Sequence, residues 1–156
     1  RKRQMHALQS LGEQLVDLSA AQLAKLNIDN EALIEAVQLA QRISHRSGRR
    51  RQMQFIGKLM RSADAEQIAD ALDALHETSR KAKAQERVIE GARDALLARG
   101  DEALPEVLAI WPHGDRQLIR QLTRSAREER QRDQAPTSSR KLFRYLRSLS
   151  EASAED

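Results

Sequence analysis

The fold is decided by residues 64–100, which read DAEQIADALDALHETSRKAKAQERVIEGARDALLARG. Apolar residues recur every seven positions in this stretch, as expected for one side of a long helix, at Ile68, Leu75, Ala82, Ile89 and Leu96. Asp64, with Gln67 three residues later, is typical of a helix N-terminus, and Gly100 is typical of the residue just after a helix C-terminus. We therefore predict a single helix of about 30 residues between these signals.

The composition favours helices throughout the chain of 156 residues. Leu, Ala, Arg, Gln and Glu are strong helix formers, and β-branched residues are too scattered for strands. Six glycines and three prolines leave few turns and therefore long elements. We predict an all-α, multihelical fold, in which a long antiparallel helix pair is followed by shorter C-terminal helices. A chain of this length can bury one core, so we expect residues 1–100 and 101–156 to be two regions of a single compact unit.

Upstream of the long helix the pattern predicts three more, at about residues 5–18, 20–26 and 30–62. Asp29 or Asn30 is the expected N-cap of the last of them, which forms the other arm of the antiparallel pair. At 100° per residue, one side of that helix combines apolar and small residues: Leu33, Val37, Ala40, Ser44, Ser47, Gly48, Phe55 and Leu59. The small residues in its middle predict that another helix crosses there at close range.

Downstream of Gly100 the elements become shorter. The pattern predicts a helix from Asp101 to about Ile110, a helix capped by Asp115, and a last helix capped by Ser138 or Ser139. An acidic, frayed tail is expected at residues 151–156. Trp111, the only tryptophan, precedes a Pro-His-Gly turn and is expected to anchor the core between the two C-terminal helices.

Several protein classes are excluded by residue content. The chain has no cysteine, which rules out disulfides, zinc fingers and thiol catalysis. No apolar run approaches the roughly 20 residues that span a bilayer, and no signal peptide is visible, so we expect a soluble cytoplasmic protein without a membrane partner. The four histidines lack metal-ligand spacing, and nothing assembles a nucleophile, a base and an oxyanion hole. We predict a protein that is not an enzyme, uses no cofactor or metal and takes no small-molecule substrate.

Positive charge is concentrated in residues 42–61, a segment without Asp or Glu. Its seven cations, called the basic strip below, carry a charge of +7 in a chain of net charge +4: Arg42, Arg46, Arg49, Arg50, Arg51, Lys58 and Arg61. Further cations form stripes on the last two helices, at Arg116, Arg120, Arg127, Arg140, Lys141, Arg144 and Arg147. Lys would serve solubility equally well, whereas Arg adds planar, forked donors that suit phosphate oxygens. We predict that these residues contact an anionic polymer.

The kind of polymer follows from what the sequence lacks. No helix-turn-helix or basic-zipper pattern is present. Aromatic residues make up only 3% of the chain, which argues against stacking surfaces for single strands. Recognition of backbone and shape remains, and this suits structured RNA; we expect Tyr145 to pack in the core rather than to stack on a base. Two alternatives stay open: a helical adaptor that presents the 68–96 heptads to another protein, and a sequence-independent nucleic-acid binder.

Short blocks along most of the chain are also informative. In the first half they are LAQRI (39–43), GRRRQ (48–52) and IGK (56–58); in the second they are LPEVL (104–108), WP (111–112), DRQ (115–117) and LFRYLR (142–147). In these blocks the chain resembles the YjgA family, which is also called the DarP family of dual-action ribosomal maturation proteins. The resemblance implies an all-helical, non-enzymatic factor that binds large-subunit rRNA in immature (pre-50S) particles. It implies action at the intersubunit face, where correct rRNA folding around the peptidyl transferase centre is favoured. The ribosome follows only from this resemblance.

Overall fold

The computed structural model describes residues 2–155, which form helices and connections without a β-strand. The helices are α1 Lys2–Val16, α2 Ala20–Lys25, α3 Glu31–Arg42, α4 Arg46–Ser62, α5 Ala65–Arg99, α6 Leu104–Ile110, α7 Arg116–Gln131 and α8 Thr137–Glu155. A short 3-10 turn, Gly100–Ala103, separates α5 from α6 where the sequence predicted helix from Asp101 onward. The prediction of an all-α, multihelical fold is confirmed.

Helix α5 has the ends that the sequence predicts. The Asp64 carboxylate accepts a hydrogen bond from the Gln67 amide at 3.1 Å. At the other end, Gly100 adopts a φ of +62°, a left-handed conformation that glycine tolerates best. The helix is 35 residues long, close to the predicted length.

The chain divides into two compact units, Arg1–Ser79 and Arg80–Asp156, and the division lies within α5. The sequence predicted a boundary after residue 100 instead. The reason for the difference is the burial along α5. Ile68 and Leu72 belong to the core of the first unit, whereas Ile89 and Leu96 belong to the core of the second. Ala82, the central heptad residue, is exposed between them.

The predicted long helix from residue 30 to Ser62 is wrong, because the chain leaves helical conformation at Ile43, Ser44 and His45. Asn30 is confirmed as the N-cap of α3, where its side chain accepts a hydrogen bond from the Leu33 amide at 3.1 Å. Ile43 then ends α3 with an extended backbone (φ −79°, ψ 121°). The residues at positions 43–45 are β-branched Ile, followed by Ser and His, and all three types have modest helix propensity. Three such residues in succession favour the break. The expected second arm of the long pair is therefore two shorter helices.

In the first unit, α4 packs against both α1 and α3. Its buried residues are Ile56 and Met60, whereas Phe55, predicted to face inward, is 48% exposed. The predicted crossing at Ser44, Ser47 and Gly48 is also wrong, since both serines are exposed and a Cβ at Gly48 would meet only Ile43 and His45 nearby. The close approach occurs instead at Gly12 of α1, where a Cβ would lie 3.0 Å from Cγ2 of Ile56.

Replacing Gly12 by Val is expected to lower the free energy of unfolding by about 1–3 kcal/mol, because the added methyl groups would force α1 away from α4. Gly57→Val is the matched control. A Cβ at Gly57 meets nothing within 4 Å, so the change should stay within about 0.5 kcal/mol. Urea denaturation followed by circular dichroism measures both variants. Equal losses at the two positions would show that the effect does not come from the α1–α4 contact.

The second unit is built around Trp111, which is 3% exposed, and its predicted role as a core anchor is confirmed. Asp115 caps α7 as predicted, with its carboxylate accepting hydrogen bonds from the amides of Gln117 and Leu118. Tyr145 packs against the same core, and its hydroxyl oxygen accepts a hydrogen bond from the Asp115 amide at 2.8 Å. This bond ties α8 to the start of α7, so the core role expected for Tyr145 is confirmed.

Two expectations about α8 need correction. The helix begins at Thr137, so Ser138 is not its N-cap. The amide and hydroxyl of Ser138 instead donate hydrogen bonds to the Glu129 carboxylate at 2.9 and 2.8 Å, which attaches the first turn of α8 to α7. At the other end, residues 151–155 of the segment predicted to be a frayed tail continue the helix to Glu155, and Asp156 lies outside the described residues.

Candidate nucleic-acid interface

The basic strip lies on the end of α3 and along α4. Arg42 is the last residue of α3, and the other six cations lie on α4. All seven side chains are exposed. In the part of the chain that the structure describes, none of them forms an ion pair with a carboxylate. No contact ion pair with a described residue therefore neutralises the charge of the strip.

Helix α4 separates this charge from the core. Ile56 and Met60 are fully buried on one side. Arg51 and Lys58 are seven positions apart, and Arg50 and Arg61 are eleven apart, so each pair lies nearly in line along the exposed side. Arg51, which the continuous-helix prediction set apart from its neighbours, thus belongs to the main exposed face. From Arg46 to Arg61 the helix presents cations over about 22 Å, at 1.5 Å per residue.

The start of α4 concentrates positive potential further. His45 is the N-cap but makes no side-chain capping bond, and the first turn contains no acidic residue. The first amide groups of a helix have no intrahelical acceptor, and the helix dipole places partial positive charge there. Arginines at 46 and 49–51 add full charges to the same end. This arrangement disfavours the isolated helix and favours a bound anion such as a phosphate.

Changing His45 tests how much stability the chain loses because the cationic start of α4 has no side-chain cap. His45→Asn should stabilise the chain by about 1 kcal/mol, because the backbone at this position is already extended (φ −73°, ψ 128°) and an amide oxygen can accept a capping bond. His45→Asp should add a further 0.3–1 kcal/mol or so from the helix dipole. Thermal denaturation measures both effects. His45→Asp alone should weaken binding to a structured RNA, and equal weakening by Asn would contradict the electrostatic explanation.

Two glutamine side chains hold the strip in place. Gln41 donates hydrogen bonds to the carbonyl oxygens of Val16, the last residue of α1, at 3.1 Å and of Leu18, in the connection after α1, at 2.8 Å. Gln52 donates to the carbonyl oxygen of Ala36 in α3 at 2.9 Å. Sequence reasoning missed both residues, because their acceptors are 16 to 25 positions away. These hydrogen bonds join α3 to α1 and α4 to α3, and they thereby fix the position of the α4 cations within the first unit.

A groove runs between α4 and α1. Arg46, Arg49 and Arg50 line one wall, and Met5 and Gln9 of α1 line the other. Acidic side chains of α1, at positions 13 and 17, also line this groove. Opposite charges on the two walls leave the outward face of α4 as the better position for a polyanion.

The seven predicted contact residues of the second unit fall into two groups. Arg116, Arg140, Lys141 and Arg144 are exposed, and no ion pair engages them within residues 2–155. The other three have intramolecular contacts. Arg120 pairs with Asp101 at 3.0 Å, and Arg147 lies 3.6 Å from Glu86. Arg127 is partly buried, and its guanidinium occupies the space where Gly100 would carry a Cβ. Exposed pairs of this kind contribute about 0–1 kcal/mol, so Arg120 and Arg147 can exchange a carboxylate for a phosphate at little cost.

A bidentate ion pair joins the end of α5 to α6. Arg99 donates two hydrogen bonds to Glu106, at 2.8 and 2.6 Å. These bonds, followed by the charge attraction, raise the pKa of Arg99 and lower the pKa of Glu106. Because the folded state lowers the carboxyl pKa, the pair stabilises the fold above the unfolded pKa of Glu106. That contribution is lost as the pH falls through the folded value. The role of this pair is structural.

Neither a metal site nor a membrane-spanning helix is found among the described residues. No three His, Asp or Glu side chains of residues 2–155 come together as a metal site would require. Within the same range, no helix combines the length and the apolar character needed to cross a lipid bilayer. The concentration of unpaired cations on α4 is therefore the feature that a function has to explain.

Comparison with known proteins gives one consistent result. Residues 1–147 match the family described as dual-action ribosomal maturation protein DarP. A protein of that name from Edwardsiella ictaluri is 47% identical over 151 residues, which covers 97% of this chain and 81% of the relative. Those from Pectobacterium carotovorum and Cronobacter sakazakii are each 45% identical, over 96% and 97% of this chain and 81% of the relative. The similarity thus extends across both compact units.

Proposed function

The chain belongs to the DarP family of dual-action ribosomal maturation proteins, and on this premise we propose that it is an rRNA-binding assembly factor of the large (50S) ribosomal subunit. It acts at the intersubunit face of pre-50S particles, where it promotes correct rRNA folding and maturation of the peptidyl transferase centre. The observation that carries the RNA contact is the basic strip, whose seven exposed cations have no carboxylate partner among the described residues. The proposal implies a cytoplasmic protein, because ribosomal subunits of bacteria such as these relatives assemble there.

The mechanism is electrostatic and steric. Guanidinium groups on a rigid helix bind phosphate oxygens in a bidentate manner and neutralise phosphates that a compact RNA junction brings together. Lower repulsion favours the compact fold, and the volume of the protein blocks competing pairings. With six to ten phosphate contacts, affinity is expected to fall about 10³- to 10⁵-fold between 50 and 200 mM salt.

The adaptor alternative requires a free heptad seam on α5. Ile68 and Leu72 are buried in the first unit, and Ile89 and Leu96 are buried in the second. The apolar positions that a partner helix would need are thus occupied by the chain's own cores. This distribution favours RNA over an α-helical protein as the main partner.

Crosslinking in cells, followed by sequencing of the attached RNA, tests the proposal directly. We expect crosslinks to cluster in large-subunit rRNA at positions that face the small subunit. A pull-down with and without nuclease complements it. Loss of all partners after nuclease treatment supports RNA binding, whereas one protein retained after treatment would support the adaptor. Equal affinity for duplex DNA and for rRNA fragments would support a sequence-independent binder.

A further inference from the structure

We propose that Phe55 is a stacking platform for one unpaired nucleotide of the bound RNA, with Arg51 and Lys58 binding the phosphates on either side of it. This inference rests on the proposed function and adds a specific contact to it. It places the strip at a bulge, a loop or a junction rather than along an uninterrupted duplex. The sequence had predicted recognition by shape without stacking, because aromatic residues are so few.

The exposure of Phe55 is the first observation. The side chain is 48% exposed, although its neighbour Ile56 is fully buried. Phe55 lies in the middle of α4, in a segment where residues 42–61 contain no acidic side chain. Because the residue is about half exposed, its phenyl group forgoes part of the stabilisation that full burial of such a side chain contributes. A partner that covers the ring would recover part of it.

The other phenylalanine of the chain provides a comparison. The ring of Phe143 is covered by guanidinium groups of Arg93 and Arg147, at 5.4 and 4.8 Å from the ring centre. Among the described residues, no cation covers the ring of Phe55 in this way. The second unit thus uses its phenylalanine internally, and the first unit leaves its own available to a ligand.

The neighbours of Phe55 define the ligand. On a helix, residues at i−4 and i+3 lie on the same side, with Cβ atoms about 5–6 Å apart. For Phe55 these positions are Arg51 and Lys58, and both are exposed. A planar apolar surface between two cations matches a base between two phosphates. Stacking on an aromatic side chain tolerates every base, so the contact selects an unpaired nucleotide without selecting its identity.

Two RNA hairpins test the inference, and each is closed by a flexible polyethylene-glycol linker in place of loop nucleotides. One is fully paired, and the other differs only by a single unpaired adenosine in its stem. The full chain is expected to bind the second hairpin more tightly. Phe55→Ala should reduce affinity for that hairpin by about 5- to 100-fold, the usual range for loss of one stacked base. Its affinity for the fully paired hairpin should not change. Phe55→Trp should keep the preference, and Val88→Ala, at a residue of similar exposure (46%) on α5, should change neither affinity.

Phe55→Leu separates stacking from plain apolar contact. Leucine keeps the bulk but has no aromatic face, so it should lose the preference as alanine does. A preference retained by Phe55→Leu would overturn the inference, and so would equal binding of both hairpins by the unaltered chain. In either case RNA binding itself, and with it the proposed function, would stand. Failure to bind either hairpin would instead count against both proposals.

Discussion

Reversing the charge of Arg46, Arg49 and Arg50 together is expected to abolish co-sedimentation of the chain with large-subunit precursors. The three residues lie in the first two turns of α4, where they add to the positive potential of the helix N-terminus. Because each reversal changes the charge by two, the basic strip falls from +7 to +1. Three phosphate contacts are lost, and three carboxylates then repel the same phosphates.

The expected loss of affinity is on the order of 10³-fold or more at physiological salt, since each phosphate contact contributes a counterion-release term of nearly one unit to the salt dependence. A salt titration therefore gives an independent measurement. The slope of log affinity against log salt concentration should decrease by about three in the triple variant. Single Arg→Ala variants should each decrease it by about one.

Loss of binding in this variant is not expected to come from unfolding. The three side chains are exposed, and glutamate near a helix N-terminus is favourable with respect to the helix dipole. Helical content by circular dichroism should be unchanged. The favourable interaction with the helix dipole opposes the new repulsion from Glu13 and Asp17 across the groove, so the melting temperature should change little. The same three changes should therefore reduce RNA binding without unfolding the chain. The arginines at the start of α4 lie where they favour a bound anion and disfavour the isolated helix.

A matched triple reversal at Lys81, Lys83 and Arg87 provides the control. These residues are exposed on α5 and lie outside the strip, and their reversal changes the net charge of the chain by the same amount. Co-sedimentation should be reduced only modestly. Unchanged co-sedimentation of the strip variant would rule out the strip as the RNA contact, and equal loss in both variants would show that net charge alone is responsible.

The sequence predicts the elements whose signals are local. Helix α5 is an example, because its heptads, the Asp64 cap and Gly100 all lie within the helix or next to it. The same holds for Asp115, whose side chain caps amides two and three positions away. The location of the basic strip also needs no tertiary information, since it depends only on the order of charged residues.

The orientation of α4 could not be predicted for a physical reason. A continuous helix advances 100° per residue, whereas extended residues advance differently, so a break at Ile43–His45 changes which later residues face the core. The residue that faces the core is therefore Ile56, whereas a continuous helix predicted Phe55. The bonds that Gln41 and Gln52 donate to distant backbone carbonyls also fix the helices, and no local pattern encodes them. Poor helix formers at positions 43–45 were the signal that could have located the break.

Trp111→Ala is expected to lower the free energy of unfolding of the second unit by about 3–5 kcal/mol, the usual cost of removing a large buried aromatic side chain. Trp111 is 3% exposed within a cluster of residues from α5, α6, α7 and α8. The adjacent Ile110 is 47% exposed and provides the control. Ile110→Ala should change stability by less than about 0.5 kcal/mol.

Hydrogen exchange measures where the loss occurs. Each unit has its own hydrophobic core, so amides of α7 and α8 should lose protection in Trp111→Ala while those of α1, α3 and α4 keep most of theirs. Loss of protection to the same extent in both sets of helices would contradict this expectation and would indicate a single cooperative unit.

The same variant also measures how much each unit contributes to RNA binding. The core around Trp111 holds α7 and α8, which carry Arg116, Arg140, Lys141 and Arg144. When this core opens, those four cations are no longer held in a fixed arrangement, whereas the basic strip on α4 is unaffected. Trp111→Ala should therefore weaken rRNA binding less than the triple reversal at Arg46, Arg49 and Arg50 does. A loss as complete as that of the triple variant would contradict this expectation and would mean that the fixed cations of α7 and α8 are as necessary for the contact as the strip is.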